Sequence, residues 1–330
     1  MRVRIVPLQP HCFAFGGFEV QMLDALDAVQ AVGVRAEKLN PWSLDSDFDI
    51  LHVWGMEPDH LSAVHWARKS GKKIVMTALL PYVGPRALAG RVKALFNGRA
   101  LMQRELLSQI DILVVVNAAQ RQSAHWLYGF DLERVKVIPN IIAPIFFRLD
   151  KRGEHKGMGY VLSVGNVCAR KNQLMLAKAC AGAGLDLVLV GNVLPGEEAY
   201  AADLQTVIDR THHVRWIKGL PAASKALADL YADARCFALI SHHETQPISL
   251  LEAAASRSGL LIADQRYARQ EFYQNAKLVN ERSISAIIEG LNAVTQTPSM
   301  YLPPDDVVNS CQKDAVGRAY AHTYQDAMCL

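Results

Sequence analysis

Two successive rounds of short β-rich runs alternating with helical patterns constrain this chain more than any other feature. The first round opens with VRIVPL and then GGFEVQMLDALDAVQAVG, where Val20, Leu23, Ala28 and Val32 fall near helical spacing and Gly33 closes the helix. DILHVWG (49–55), a helix over 59–70, KKIVMTAL (72–79), a helical stretch over 86–108, DILVVVN (111–117), a helix near 118–128 and VKVIPN (135–140) follow. Strands alternating with helices predict βαβ units and a parallel sheet. The rhythm breaks at IIAPIFFRLDKRGEHKGMG, where a charge run and glycines predict a linker near 145–157. It restarts with YVLSVGN (160–166), a helix over 172–183, LDLVLVGN (185–192), a helix over 197–210 and VRWIKG (214–219). A helix over 222–233, CFALIS (236–241), a helix carrying Glu252, GLLIAD (259–264) and a helix near 282–295 complete it. The expected fold class is α/β, with two Rossmann-like halves whose parallel sheets face a central cleft. Ligands of such open sheets bind beyond the carboxyl ends of the strands.

A length of 330 residues suits two domains of roughly 100–200 residues each. A net charge of +3 is too small to point to nucleic acid. Cys12, Cys168, Cys180, Cys236, Cys311 and Cys329 are scattered and form no Cys-x-x-Cys pair, so they read as reduced thiols of a cytoplasmic protein. The opening MRVRIVPLQP is too short in apolar residues for a signal peptide. No run approaches the roughly 20 apolar residues needed to span a bilayer.

The residues just after the strands are the candidates for chemistry. Gly16 and Gly17 precede a helix with Glu19 in its first turn, where a backbone can approach an anion closely. They do not complete a G-x-G-x-x-G fingerprint, which ranks a nicotinamide oxidoreductase last. Gly165 and Asn166 end the first strand of the second half, and Arg170 and Lys171 stand before a helix expected to begin at Asn172. Two cations beside a helix start can neutralise a diphosphate without metal; the alternative is a solvated loop pair. In SHHETQPISLLEAAA (241–255), Glu244 and Glu252 lie eight positions apart, and Pro247 is expected in the first helical turn. The amides of Ile248 and Ser249 would then face an anion. A carboxylate accepts from two neighbouring hydroxyls, so the stretch suits a diol, a diphosphate and a second diol in that order. Otherwise Glu244 is a loop charge and Glu252 a partly buried helix residue, whose unpaired carboxylate would be costly.

The order of GGFE, FDILHVWG, DILVVVNAAQ, VKVIPN, SVGN with RKN, LVLVGN, VRWIKGL, LADLYADARCFALISHHE and Glu-x7-Glu resembles GT-B fold glycosyltransferases of retaining family 4, the glycosyl transferases of group 1. The resemblance covers nearly the whole chain. It implies an N-terminal acceptor-binding domain (1–148), a C-terminal nucleotide-sugar-binding domain (149–300) and a last helical segment (301–330) that crosses back to the first. It also implies that Glu244 binds donor sugar hydroxyls, Glu252 the ribose, and Lys171 with Arg170 the diphosphate. Gly16 and Gly17 lie near the donor phosphates and acceptor, and Gly219 with Leu220 near the nucleobase. Three positions depart from the family's pattern. Asn166 stands where many members carry arginine, Pro247 where many carry glycine, and MTALLPY lacks a histidine, reading Thr77, Ala78 and Leu79. His11 or His52 are the candidate substitutes, each with a structural alternative.

The resemblance implies a hexosyltransferase that moves sugar from a UDP- or GDP-sugar to a hydroxyl of a glycan or lipid-linked acceptor, with retention and without metal or cofactor. The setting would be bacterial-type cell-surface polysaccharide or glycoconjugate synthesis. Arg170, Lys171 and Glu244 would be its catalytic residues. A non-catalytic GT-B protein binding nucleotide sugar or glycan, and a nucleotide-sugar epimerase, are the other readings. LDSDFD (44–49) holds Asp-x-Asp twice but precedes the second expected strand, so it reads as a polar loop. The histidine pairs at 212–213 and 242–243 lack metal-helix spacing. Arg86, Arg91, Lys93, Arg99 and Arg104 against Glu105, with leucines and Phe96 interleaved, form a basic amphipathic stretch. Its residues 86–104 are a candidate peripheral membrane contact, or else a solvated helix face.

Overall fold

A computed structural model of the chain describes residues 1–13, 16–84, 97–147 and 159–330. Contacts divide it into two compact units, Met1–Ile141 with Ser310–Leu330, and Ile142–Asn309. The divisions fall several residues before and after those expected at 148 and 300.

The first unit is built on a parallel sheet of β1 (Arg2–Val6), β2 (Arg35–Lys38), β3 (Ile50–Trp54), β4 (Lys73–Thr77), β5 (Ile112–Val115) and β6 (Val135–Val137), ordered β2-β1-β3-β4-β5-β6. Ile50–Trp54 is buried at every residue, as suits a strand covered on both faces. Helices Gly17–Ala31, Leu61–Lys69, Gly98–Ser108 and Ala118–Tyr128 connect the strands. Asn117 caps the last of these, its side chain accepting from the Gln120 amide at 2.9 Å. The sequence reading did not anticipate β2, because Arg-Ala-Glu-Lys buries only Ala36 and carries no apolar alternation. Of the helical stretch expected over 86–108, residues 86–96 lie outside the described residues.

Helix Lys313–Cys329 belongs to this unit and packs along Gly17–Ala31. Gly317 allows the approach: a methyl group added there would stand 2.5 Å from the Ala28 carbonyl oxygen. An ion pair between Lys313 and Asp27 joins the same two helices, and Lys136 and Asp326 pair at 2.6 Å. The helix also delivers two buried tyrosines to the sheet. His52 of β3 shares hydrogen bonds with the Tyr324 hydroxyl at 2.8 Å and the Thr77 hydroxyl at 2.9 Å, and Thr77 lies 3.2 Å from the Tyr320 hydroxyl.

The second unit repeats the plan with β7 (Val161–Val164), β8 (Leu187–Val190), β9 (Val214–Ile217), β10 (Cys236–Leu239), β11 (Gly259–Ala263) and β12 (Lys277–Val279), ordered β12-β11-β10-β7-β8-β9. Its helices are Gln173–Ala183, Glu198–Ile208, Lys225–Asp233, Ile248–Ala255 and Ile284–Gln296. Strand β12 was not expected, since three residues carry too little periodicity to register. Cys168, Cys180, Cys236 and Cys311 are buried and Cys12 and Cys329 exposed, and none of the six forms a disulfide. Among the described residues, no helix is long and apolar enough to cross a membrane.

His52 is wholly buried, and burial pushes its imidazole down to about 3. The unfolded chain protonates this group below about pH 6.5, while the folded chain holds it neutral. The unfolded state therefore binds more protons between those values, so stability falls as pH is lowered through that window, by ~1.4 kcal/mol per pH unit. Urea unfolding at pH 7 and pH 5 measures this, and His52→Gln should flatten the slope; an unchanged slope in that variant refutes the assignment.

Candidate active site

Strand order in the second unit reverses at β7, with β8 and β9 on one side and β10, β11 and β12 on the other. The connections leaving β7 and β10 lie at this switch point, where open α/β sheets bind ligands.

The β7 connection leaves through Gly165, makes a single turn over Ala169–Lys171, and reaches helix Gln173–Ala183. Asn172 lies between them in the left-handed region, with φ 59°, a conformation asparagine tolerates better than most residues. The helix therefore begins one residue later than expected. The β10 connection passes Ser241 to Gln246 and enters helix Ile248–Ala255 through Pro247. Proline stands at the cap rather than inside the first turn, with φ −67° and extended ψ 123°. Ile248 and Ser249 then supply the leading amides, which have no acceptor within the helix. The third amide, of Leu250, donates to the Pro247 carbonyl at 3.1 Å.

The two connections meet on one atom. Arg170 Nη1 lies 2.7 Å and Lys171 Nζ 2.8 Å from the same Glu244 oxygen, Oε1. Arg170 also donates to the His243 carbonyl at 2.7 Å, and the His242 amide donates back to the Arg170 carbonyl at 2.9 Å. Glu244 is buried, not a solvated loop charge, and Lys171 is nearly so, at 11% side-chain exposure against 48% for Arg170. Two cations against one carboxylate leave a net positive charge beside the helix start, in a partly water-excluded place where charges act strongly. Behind Lys171 stands Gly165: a methyl group there would come 3.4 Å from the ammonium. Gly191, after β8, has φ +157° and backs directly onto Gly165, leaving 2.0 Å between an added Cβ and the Gly165 carbonyl oxygen.

Glu252 is buried in helix Ile248–Ala255, and the Tyr231 hydroxyl donates to its Oε2 at 2.8 Å. Tyr231 sits between the rings of Phe146, edge-on at 5.2 Å, and Phe237, stacked at 5.5 Å. Burial raises the Tyr231 hydroxyl well above its ordinary range, and the Glu252 charge adds to this, so it stays a donor. Gly219 and Leu220 follow β9 half-buried, and an added Cβ on Gly219 would meet the Asn192 side chain at 2.7 Å. Asn166 is exposed, and its carbonyl accepts from Gln173 Nε2 at 2.9 Å.

Gly16 and Gly17 belong to the other unit, at the start of helix Gly17–Ala31. The Gly16 amide is engaged within the chain, donating to the buried Glu19 carboxylate at 2.9 Å. His52 is structural, and His11 is half-buried in the connection after β1. The acids of LDSDFD tie that loop to β1, through Asp45 with Arg4 at 2.7 Å and an Asp47–Arg2 pair. The Asp47 amide, then Arg4, holds the Asp45 carboxyl below its ordinary range. His213 pairs with Asp186 at 2.9 Å and His242 with Glu281 at 3.3 Å. Among the described residues, no three His, Cys, Asp or Glu side chains converge as a metal site requires.

Sequence reasoning missed Tyr231, Gly191 and Glu281. Tyr231 reads as an ordinary core aromatic of LADLYADARC, and only the need of Glu252 for a donor could have singled it out. Gly191 stands after a strand, where its backbone conformation has no local signal beyond glycine itself.

Residues 147–303 match the family described as Glycosyl transferases group 1, and residues 27–144 match Glycosyltransferase Family 4. No curated protein matches the sequence. The HepE protein of Anabaena, solved with UDP and glucose, is similar with a TM-score of 0.69 at 14% identity, over 99% of this chain and 100% of that one. Sucrose-phosphate synthase of Thermosynechococcus elongatus gives 0.71 at 12% identity, covering 100% of both chains. The lipopolysaccharide outer core galactosyltransferase WaaB gives 0.66 at 13% identity, over 99% of each. Two six-stranded parallel sheets flanked by helices thus have the architecture of the GT-B glycosyltransferases. This chain belongs to that class, as a glycosyltransferase of the group 1, family 4 type.

Replacing Tyr231 by Phe removes a buried donor from a buried carboxylate, a loss of about 1.5–3 kcal/mol. Tyr231→Phe should lower the urea midpoint by the corresponding amount with an unchanged circular dichroism spectrum; a wild-type midpoint would show that Glu252 does not depend on this hydroxyl.

Proposed function

We propose that the protein transfers a hexose from a UDP- or GDP-sugar to a hydroxyl of a glycan or lipid-linked acceptor, with retention at the anomeric carbon. The observation that carries this is the meeting of Arg170 and Lys171 on Glu244 beside the open start of helix Ile248–Ala255. The net positive charge of that cluster and the amides of Ile248 and Ser249 suit a diphosphate. A diphosphate that takes up the two cations releases the Glu244 oxygens towards sugar hydroxyls. Glu252, oriented by Tyr231, would face the ribose diol. Gly219 and Leu220 flank the base.

In this reading no side chain attacks the sugar. The acceptor hydroxyl enters from the face the leaving diphosphate vacates, and the departing phosphate oxygen takes its proton. Lys171 and Arg170 stabilise the negative charge that develops on that leaving group, which makes positioning and electrostatics the whole of catalysis and leaves no step that needs a metal. The similarity to HepE, solved with UDP and glucose, and to WaaB, a lipopolysaccharide outer core galactosyltransferase, supports a nucleotide-sugar donor and a role in cell-surface glycoconjugate synthesis.

Lys171→Ala should lower kcat on the order of 100–1000-fold, the usual cost of removing one donor to a developing oxyanion. Steady-state transfer assays across a panel of UDP- and GDP-sugars measure it, and unchanged turnover defeats the assignment.

A peripheral membrane contact through 86–104 would suit a lipid-linked acceptor. In the described part of that stretch, Leu101 and Met102 of helix Gly98–Ser108 are exposed, while Arg99 pairs with Glu57. The protein should co-sediment with anionic liposomes at low salt and be released by high salt; failure to sediment removes the membrane from the proposal.

A further inference from the structure

The cation–carboxylate cluster is held together from behind by a residue that no motif marks. Glu281 follows edge strand β12 and is buried, with its side chain 5% exposed. Its carbonyl oxygen accepts from the Asn172 side chain at 2.9 Å. Its carboxylate Oε1 lies 3.3 Å from His242 Nδ1 and 3.5 Å from Arg282 Nε. Asn172 is the left-handed residue that ends the turn carrying Arg170 and Lys171. His242 precedes Glu244 by two residues, and its amide donates to the Arg170 carbonyl. One residue thus grips both connections of the switch point, the β7 side through Asn172 and the β10 side through His242.

We infer that Glu281 is a positioning residue of the diphosphate site, setting where Glu244 stands relative to Arg170 and Lys171 by acting through His242. The inference rests on the donor-site reading above. Glu281 makes no contact with the two cations or with Glu244 among the bonds of the described residues, so it works through the loops it fixes. Arg282 is 81% exposed, so its 3.5 Å pair with Glu281 is screened, and Gln265, which also hydrogen-bonds the Glu281 carboxylate, lies on the connection after β11; His242 and Asn172 are the partners that lie on the two connections of the switch point.

The test uses inorganic pyrophosphate as the probe, because it needs neither the nucleobase nor the acceptor. Calorimetric titration of the full chain should show pyrophosphate binding that Lys171→Ala abolishes. Glu281→Ala and His242→Ala should each weaken binding by about tenfold, the order of loss seen when a positioning contact behind a charged site is removed. The double variant should be no weaker than either single one, because both changes break the same link. Glu281→Gln keeps an acceptor for the His242 ring and should bind within about threefold of wild type, which a general loosening of the fold would not reproduce. If Glu281→Ala fails to fold, His242→Ala in the wild-type and Glu281→Gln backgrounds carries the same comparison. Wild-type affinity in Glu281→Ala and His242→Ala, or additive losses in the double variant, overturns the inference while Lys171→Ala still loses binding. If Lys171→Ala binds as wild type does, or the wild type does not bind, the donor-site reading itself fails.

Discussion

Everything proposed for the site depends on two positive side chains converging on a single carboxylate oxygen. Arg170 and Lys171 leave the sheet on one connection and Glu244 on another, and they meet because strand order reverses between β7 and β10. Had β10 been placed at the far edge, the same residues would be three unrelated surface charges. The excess of one positive charge is what makes the cluster unfinished, and an anion completes it more cheaply than water can. The backbone behind is made to fit: Gly191 and Gly165 touch where neither tolerates a side chain, which brings the β7 connection close enough for Lys171 to lie against it.

A second theme is the way each unit solves the burial of one polar group. His52 lies in a strand and Glu252 in a helix, both buried, where an unpartnered polar atom is expensive. Each is matched by tyrosine, Tyr324 for His52 and Tyr231 for Glu252. The outcomes differ because the groups differ. The imidazole stays neutral and becomes part of the core, whereas the Glu252 carboxylate is held in place by the Tyr231 hydroxyl.

Alternation of strand and helix was legible throughout, because fully buried parallel strands read as unbroken apolar runs and the helices between them carry their own period. The strands that escaped, β2 and β12, lie at the sheet edges, where Arg35, Glu37 and Lys38 face water and Lys277 to Val279 are too few to show a pattern. The charged site residues could be named from their places after strands, yet their pairing could not. That Glu244 would be buried between Arg170 and Lys171, or that Glu281 would stand behind them, depends on which strands are neighbours in space. Pro247 is a smaller instance: its fixed φ suits both the cap and the first turn, and the extended ψ that decides between them comes from the chain around it.

Helix Lys313–Cys329 carries one further consequence. Because residues 310–330 complete the first unit while 142–309 form the second, the second unit is an insertion within the first. A ribosome delivers the inserted part whole before it delivers Tyr324, the partner of His52. The order of synthesis thus favours a finished second unit attached to an N-terminal half still waiting for helix Lys313–Cys329, an interval in which chaperones have an open core to find.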